Sequence, residues 1–183
     1  MWTIITTAIL SHCYCVVFCC CQSDAWPFDF FCDALMNDLF NSSWETRHGA
    51  AIGLREVINT HGTEAGRSND RVMMTSNASS RAAYQDGQNL SWLADAALRL
   101  VSVLALDRFG DFVSDEVVAP VRETCAQALG TVLKHLPQHH VMLVLKVLRQ
   151  LFAQPQWEAR HGGFLGVKYM LSVRKVCLVA IMN

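Results

Sequence analysis

Charged residues are scarce in this 183-residue chain, because Asp, Glu, Lys and Arg together make up only 17% of it. The formal net charge is −1 at pH 7 and the isoelectric point is about 6.6. No run of lysines or arginines interrupts the sequence. The composition therefore argues against a DNA-binding arm or a polybasic membrane tether, and no direct contact with DNA is predicted.

Motifs for catalysis or ligand binding are also lacking. The sequence has no phosphate-binding loop of the Gly-x-x-x-x-Gly-Lys type. His135, His139 and His140 cluster around a proline without cysteine or carboxylate partners at metal-ligand spacing, and are interpreted as exposed turn residues. Asp111 and Asp115 lie one helical turn apart, but no nucleophile or metal set accompanies them. We predict no catalytic, cofactor-binding or metal residue, no small-molecule substrate, and a chain that is not an enzyme.

Alternation of polar and apolar residues, which marks a half-buried strand, is absent as well. What recurs instead is the phrase Trp-Glu-x-Arg-His-Gly, at 44–49 and again at 157–162. A weaker copy surrounds Arg122, and this arginine lies 75 residues after Arg47 and 38 before Arg160. A period near 38 residues is typical of a helix-turn-helix unit. The sequence therefore predicts an all-α solenoid of about three antiparallel helix pairs, at roughly 27–60, 89–136 and 138–175.

Small residues recur in register with these arginines. Three residues after each arginine come Ala50, Cys125 and Gly163, and six residues after come Gly53, Ala128 and Gly166. Glycine inside a helix costs about 1 kcal/mol relative to alanine, so the recurrence requires a compensating gain. We interpret the small residues as a strip against which a neighbouring helix packs closely. His48 and His161 also recur, and are predicted to form hydrogen bonds at the turn between helices.

Helix boundaries follow from local signals. Ser42 and Glu45 fit a capping box, which predicts a helix beginning near residue 43 and ending before Gly62. Residues 62–88 are rich in Gly, Ser, Asn and Asp and are predicted to be a flexible insertion. Pro120 predicts either a kink or a late start for the helix that carries the middle copy.

The two ends of the chain differ from the rest, which is interpreted as one helical domain over 24–175. Residues 1–23 are apolar and contain five of the eight cysteines, whereas residues 176–183 form an atypical tail. Residues 1–21 carry no charge and are long enough to form a membrane anchor. Alternatively, both ends are translated non-coding sequence. The single cysteines Cys32, Cys125 and Cys177 are predicted to be buried and reduced.

The repeated phrase resembles the second helix of a HEAT repeat. The strings that carry a closer resemblance lie at 26–28, 37–40, 44–50, 104–115, 118–126 and 157–163. Over about residues 24–175 the chain is similar to the N-terminal HEAT region of the TATA-binding-protein-associated factor that carries a Swi/Snf-type ATPase. That resemblance implies a nuclear scaffold that binds the TATA-binding protein, contacts DNA only through it, and in the family couples to ATP-driven removal of that protein from promoters. The alternative is a membrane-associated interaction protein anchored by residues 1–21.

Overall fold

The helical content of the chain is evident from a computed structural model, which describes residues 29–66, 78–106 and 115–175. The predicted segments 1–23 and 176–183 lie outside the described residues. Within the described ranges no strand occurs, so the all-α prediction is confirmed. The helices found there are Asp29–Asp38 (α1), Trp44–His61 (α2), Ala78–Leu106 (α3), Asp115–His135 (α4), Gln138–Leu151 (α5) and Trp157–Val173 (α6).

The six helices form three successive pairs. Helices α1, α3 and α5 each pack against the helix that follows, and the second helices stack in the order α2, α4, α6. The contacts of α4 with α2 and with α6 are the most extensive between any helices. Arg47, Arg122 and Arg160 lie on α2, α4 and α6. The predicted HEAT-like solenoid, with the three arginines on matching second helices, is therefore confirmed.

The strip of small residues is a packing surface, as predicted. A Cβ atom added to Gly53 would lie 3.0 Å from a methyl carbon of Leu35 on α1. One added to Gly166 would lie 2.6 Å from a methyl carbon of Leu148 on α5. At these two positions α2 and α6 therefore approach their own first helices so closely that an added methyl group would press on a leucine side chain.

The start of α2 differs by one residue from the predicted capping box. Ser43, and not Ser42, is the N-cap, and its Oγ accepts a hydrogen bond from the backbone N–H of Thr46 at 3.4 Å. The same hydroxyl donates to Glu45 at 2.6 Å. Glu45 therefore interacts with the cap through its side chain, and its charge lies in the first turn where the helix dipole favours it.

The predicted insertion over 62–88 extends too far, because α3 begins at Ala78. Residues 67–77 lie outside the described residues, so flexibility remains a prediction for them. Helix α4 begins at Asp115 and contains Pro120, which excludes the late start, one of the two alternatives predicted for this proline. Pro137 immediately precedes α5, where its fixed backbone angle suits a helix start.

Helix α3 is long and apolar enough over Ser79–Leu106 to cross a membrane, judged by length and composition alone. Within its most apolar window, 44% is buried inside the molecule. Leu93, Leu100 and Leu104 are almost completely buried in the core shared with the other helices. Since the core helix of a globular domain passes the same test, this property supplies no argument for a membrane span.

Candidate binding surface

Two of the repeated arginines form hydrogen bonds to the turn between the two helices of their own pair. Arg47 is completely buried, and its Nη1 donates hydrogen bonds to the carbonyls of Asn41 at 2.8 Å and Ser42 at 2.9 Å. Arg160 repeats the arrangement with the carbonyls of Gln154 at 2.8 Å and Pro155 at 2.7 Å. Charged donors make strong hydrogen bonds to backbone oxygens. The arginines therefore hold the turns at one edge of the solenoid in fixed positions.

The third repeated arginine joins neighbouring pairs. Arg122 is completely buried, and its guanidinium lies 5.0 Å from the centre of the Trp157 ring. Burial lowers the pKa of Arg122, and the nearby carboxylate of Glu158 opposes that shift. Residues 107–114, which precede α4, lie outside the described residues. Trp157 is 43% exposed, so one side of its ring contacts a buried cation while the rest faces solvent. We call the surface formed by this ring and the turns that Arg47 and Arg160 bind the turn edge.

The repeated histidines contact other residues of the second helices, and their hydrogen bonding at the turns stays a prediction. His48 Nδ1 lies 3.1 Å from Thr124 Oγ1 and forms a hydrogen bond that joins α2 to α4. Burial lowers the pKa of His48, and the positive charge of Arg55 lowers it further. His161 packs against Trp157 with the ring centres 5.9 Å apart. His48 therefore joins two neighbouring second helices, whereas His161 contacts a residue of its own helix.

A row of polar side chains crosses the same three second helices. Arg55 on α2 donates to Gln127 on α4, which donates to the Tyr169 hydroxyl on α6 at 3.2 Å. The Tyr169 hydroxyl donates to Glu123, and Lys168 forms an ion pair with the same carboxylate at 3.1 Å. Burial alone would raise the pKa of Glu123, but the hydrogen bonds from Tyr169 and Lys168 hold it below its usual value. We call these five residues the polar row.

The polar row presents fixed charges and hydrogen-bonding groups on a partly exposed surface. Such pre-ordered side chains lose little conformational entropy when another protein binds. The sequence predicted no binding residue, because the members of the row come from three helices far apart in the chain. The ordered turn edge and the polar row are the two candidate contact surfaces of the described residues.

Comparison with known proteins identifies the family. The chain is 53% identical over 154 residues to human TATA-binding protein-associated factor 172, and 41% identical over 160 residues to TATA-binding protein-associated factor mot1 of Schizosaccharomyces pombe. Each match covers 84% of this chain. The chain is a homologue of one segment of the TATA-binding-protein-associated factors. A Saccharomyces cerevisiae member, TATA-binding protein-associated factor MOT1, is 38% identical over 164 residues.

The family resemblance found in the sequence is therefore confirmed. The chain spans about 8% of the length of these TATA-binding-protein-associated factors, so it corresponds to a small region of them. No family model matches the chain.

Chemical groups on this segment of the factor are arranged for contact and packing. In the described part of the chain, no group of three or more His, Cys, Asp and Glu side chains is placed to hold a metal ion. His135 lies in the last turn of α4 and is half-buried, so its interpretation as an exposed turn residue is wrong. Cys32 and Cys125 are free thiols in the core, as predicted, and burial raises the pKa of Cys125 to about 12. Asp111 lies outside the described residues.

Proposed function

We propose that this chain is a protein-binding scaffold segment of a transcription regulator and that it engages the TATA-binding protein. The observation that supports this most directly is the 38% to 53% identity, over 84% to 85% of the chain, to factors named for association with that protein. The solenoid supports it physically, because stacked helix pairs offer extended surfaces to other proteins.

The polar row and the turn edge are the proposed contact surfaces. Glu123 and Lys168 present opposite charges side by side, which favours a partner with complementary charges at the same spacing. Trp157 adds an exposed aromatic ring whose position is fixed by the arginine beneath it. Rigid aromatic side chains of this kind contribute strongly to protein interfaces.

The activity of the full-length factor is extended to this segment only as a proposal. In the full-length factor this segment would hold the TATA-binding protein while an ATPase elsewhere in that factor removes it from promoter DNA. The segment itself is proposed to be non-enzymatic, to contact DNA only through its partner, and to act in the nucleus. These proposals agree with the near-neutral charge of the chain, which provides no general attraction to phosphate.

Retention of the full chain on immobilised TATA-binding protein tests the proposal. We expect saturable retention at micromolar concentration, and at least tenfold weaker retention for Lys168→Gln, which removes a cation from the polar row. Arg81→Gln is the matched control, because it removes an exposed cation from α3, away from the row. Absence of retention of the folded, unmodified chain would overturn the proposed partner. Equal retention of the two variants would overturn the assignment of the surface.

A further inference from the structure

The last second helix, α6, has one open side. Among the described residues it packs against α3, α4 and α5. Arg160, Phe164 and Lys168 recur every four residues and therefore lie along one side of α6, which we call the α6 face. Phe164 is 59% exposed and the side chain of Lys168 is 60% exposed. The α6 face is therefore open to solvent in the described part of the chain.

The equivalent positions on α4 contact the next second helix in the stack. They are Arg122, Ala126 and Gly130, each 38 residues earlier in the sequence. The Arg122 guanidinium lies 5.0 Å from the centre of the Trp157 ring on α6. A Cβ added to Gly130 would lie 3.2 Å from the Cβ of Tyr169, and Ala126 is completely buried. The α6 face therefore has the register of a surface on which another second helix packs.

The first second helix, α2, has an open side of the opposite kind. Glu45, Ile52 and Glu56 lie seven and four residues apart, which places them on one side of α2 that we call the α2 face. All three are at least partly exposed. The equivalent of Glu56 on α6 is Tyr169, which accepts a hydrogen bond from Gln127 of the preceding second helix at 3.2 Å. The α2 face therefore has the register of a surface that packs on a preceding second helix.

The two open faces complement each other when the contacts between α4 and α6 are transferred to them by register. Trp44 then lies over Arg160, as the tryptophan of α6 lies over the arginine of α4. Glu56 then lies beside Lys168, since these residues occupy the positions of the tyrosine and the glycine that contact each other. Phe164 supplies exposed apolar area between the charges. An acidic α2 face favours a basic α6 face over contact between two identical faces.

We propose that the α6 face binds the α2 face of a second copy of this chain. Because the two faces differ, the contact is heterologous, and each added copy presents another α6 face to the next copy. Association should therefore produce an open series of oligomers and not a closed dimer. The proposal goes beyond the proposed function, since it does not require the TATA-binding protein.

Light scattering of the full chain with two blocked variants tests the proposal. Phe164→Glu blocks the α6 face, Ile52→Glu blocks the α2 face, and neither residue belongs to the polar row or the turn edge. Each variant alone should associate at least tenfold more weakly than the unmodified chain. An equimolar mixture of the two should form a 1:1 dimer that does not grow, because one intact α6 face then meets one intact α2 face.

Circular dichroism checks that both variants fold. If Ile52→Glu does not, Glu56→Lys replaces it at an exposed site of the same face, and Asp86→Lys on α3 is its matched control that should associate like the unmodified chain. A mixture of folded variants that stays monomeric would overturn the proposal. Undiminished association of Ile52→Glu alone would also overturn it, because the α6 face would then bind another surface. A monomeric unmodified chain would exclude the contact altogether.

Discussion

The repeated arginines show how one residue type performs the same bonding in different surroundings. Arg47 and Arg160 each donate two hydrogen bonds to the turn before their helix, yet Arg47 is completely buried and Arg160 is partly exposed. The hydrogen bonds of Arg47 are partly buried and those of Arg160 are exposed, so water replaces a lost donor more readily at the second turn. The two turns should therefore respond differently to loss of the arginine.

We expect Arg47→Met to lower the free energy of unfolding by about 2–3 kcal/mol, and Arg160→Met by about 1 kcal/mol or less. The difference arises because Arg47 is completely buried and its hydrogen bonds are partly buried, whereas the bonds of Arg160 are exposed and water can replace them. Urea-induced unfolding followed by circular dichroism measures both values. Equal losses for the two variants would show that burial does not determine the strength of these bonds.

Two half-buried histidines should make the stability of the fold dependent on pH. Burial lowers the pKa of His48 and of His135, and positive charges add to the effect, from Arg55 near His48 and from Lys134 and Arg174 near His135. Between the lowered folded-state pKa and the unfolded-state pKa of about 6.5, the unfolded chain binds more protons. The stability that these groups contribute is therefore present above pH 6.5 and is lost as the pH falls below it.

Urea-induced unfolding at several pH values between about 7.5 and 5.5 measures this loss, in a range where carboxylates remain ionised. The double variant His48→Gln, His135→Gln should show a flatter dependence on pH. His139→Gln serves as the control, because that side chain is exposed. A profile of the double variant parallel to that of the unmodified chain would contradict the assignment to these two residues.

At the level of whole helices, some glycines have free space beside them, whereas others lie against a neighbouring helix. Gly87 lies in α3 with no other atom within 4 Å of an added Cβ, whereas a Cβ on Gly162 of α6 would collide with the Leu104 carbonyl oxygen. Gly87→Ala should therefore raise the free energy of unfolding by about 0.5–1 kcal/mol through helix propensity. Gly162→Ala should lower it by about 1–3 kcal/mol through overpacking.

Chemical denaturation of the two variants beside the unmodified chain measures both signs. The pair controls for the substitution itself, since each adds one methyl group to a helical glycine. A stabilised Gly162→Ala variant would contradict the close approach of α3 and α6. An unchanged or destabilised Gly87→Ala variant would contradict the helical assignment of the first turns of α3.

Helix starts were predictable where a chemical signal marks them. The capping-box serine before α2 and the glutamate in its first turn place the start of this helix within one residue of the observed one. The start of α3 was not predictable in this way, because residues 79–87 are almost all exposed and polar or small, so no apolar stripe identifies them as a helix. The same limit applies to the polar row, whose members are brought together only by the stacking of α2, α4 and α6.

For the whole molecule, the repeat register was the most informative signal. It predicted which helices stack, because the arginine positions and the small residues after them recur at the same places in each pair.

The repeat register also identifies one position that is buried on α2 and α4 but exposed on α6. Ala51 on α2 and Ala126 on α4 occupy equivalent positions and are completely buried, and the equivalent residue on α6 is Phe164, which is 59% exposed. Phe164 stacks on Phe152 with the ring centres 4.4 Å apart, so these two residues form an apolar patch on the outer side of the last pair. Exposed apolar patches of this kind promote association.

We therefore expect the chain to self-associate at micromolar concentration, and Phe164→Glu to reduce this association by placing a charge in the patch. Sedimentation velocity at increasing concentration measures the effect. Leu98→Glu is the matched control, since it also replaces an exposed apolar residue by a carboxylate but lies on α3. If the control reduces association as strongly as Phe164→Glu, general charge repulsion explains the result. A strictly monomeric unmodified chain would contradict the role of the patch. It would show that Phe164, at the position that is buried on α2 and α4, remains exposed to water in solution.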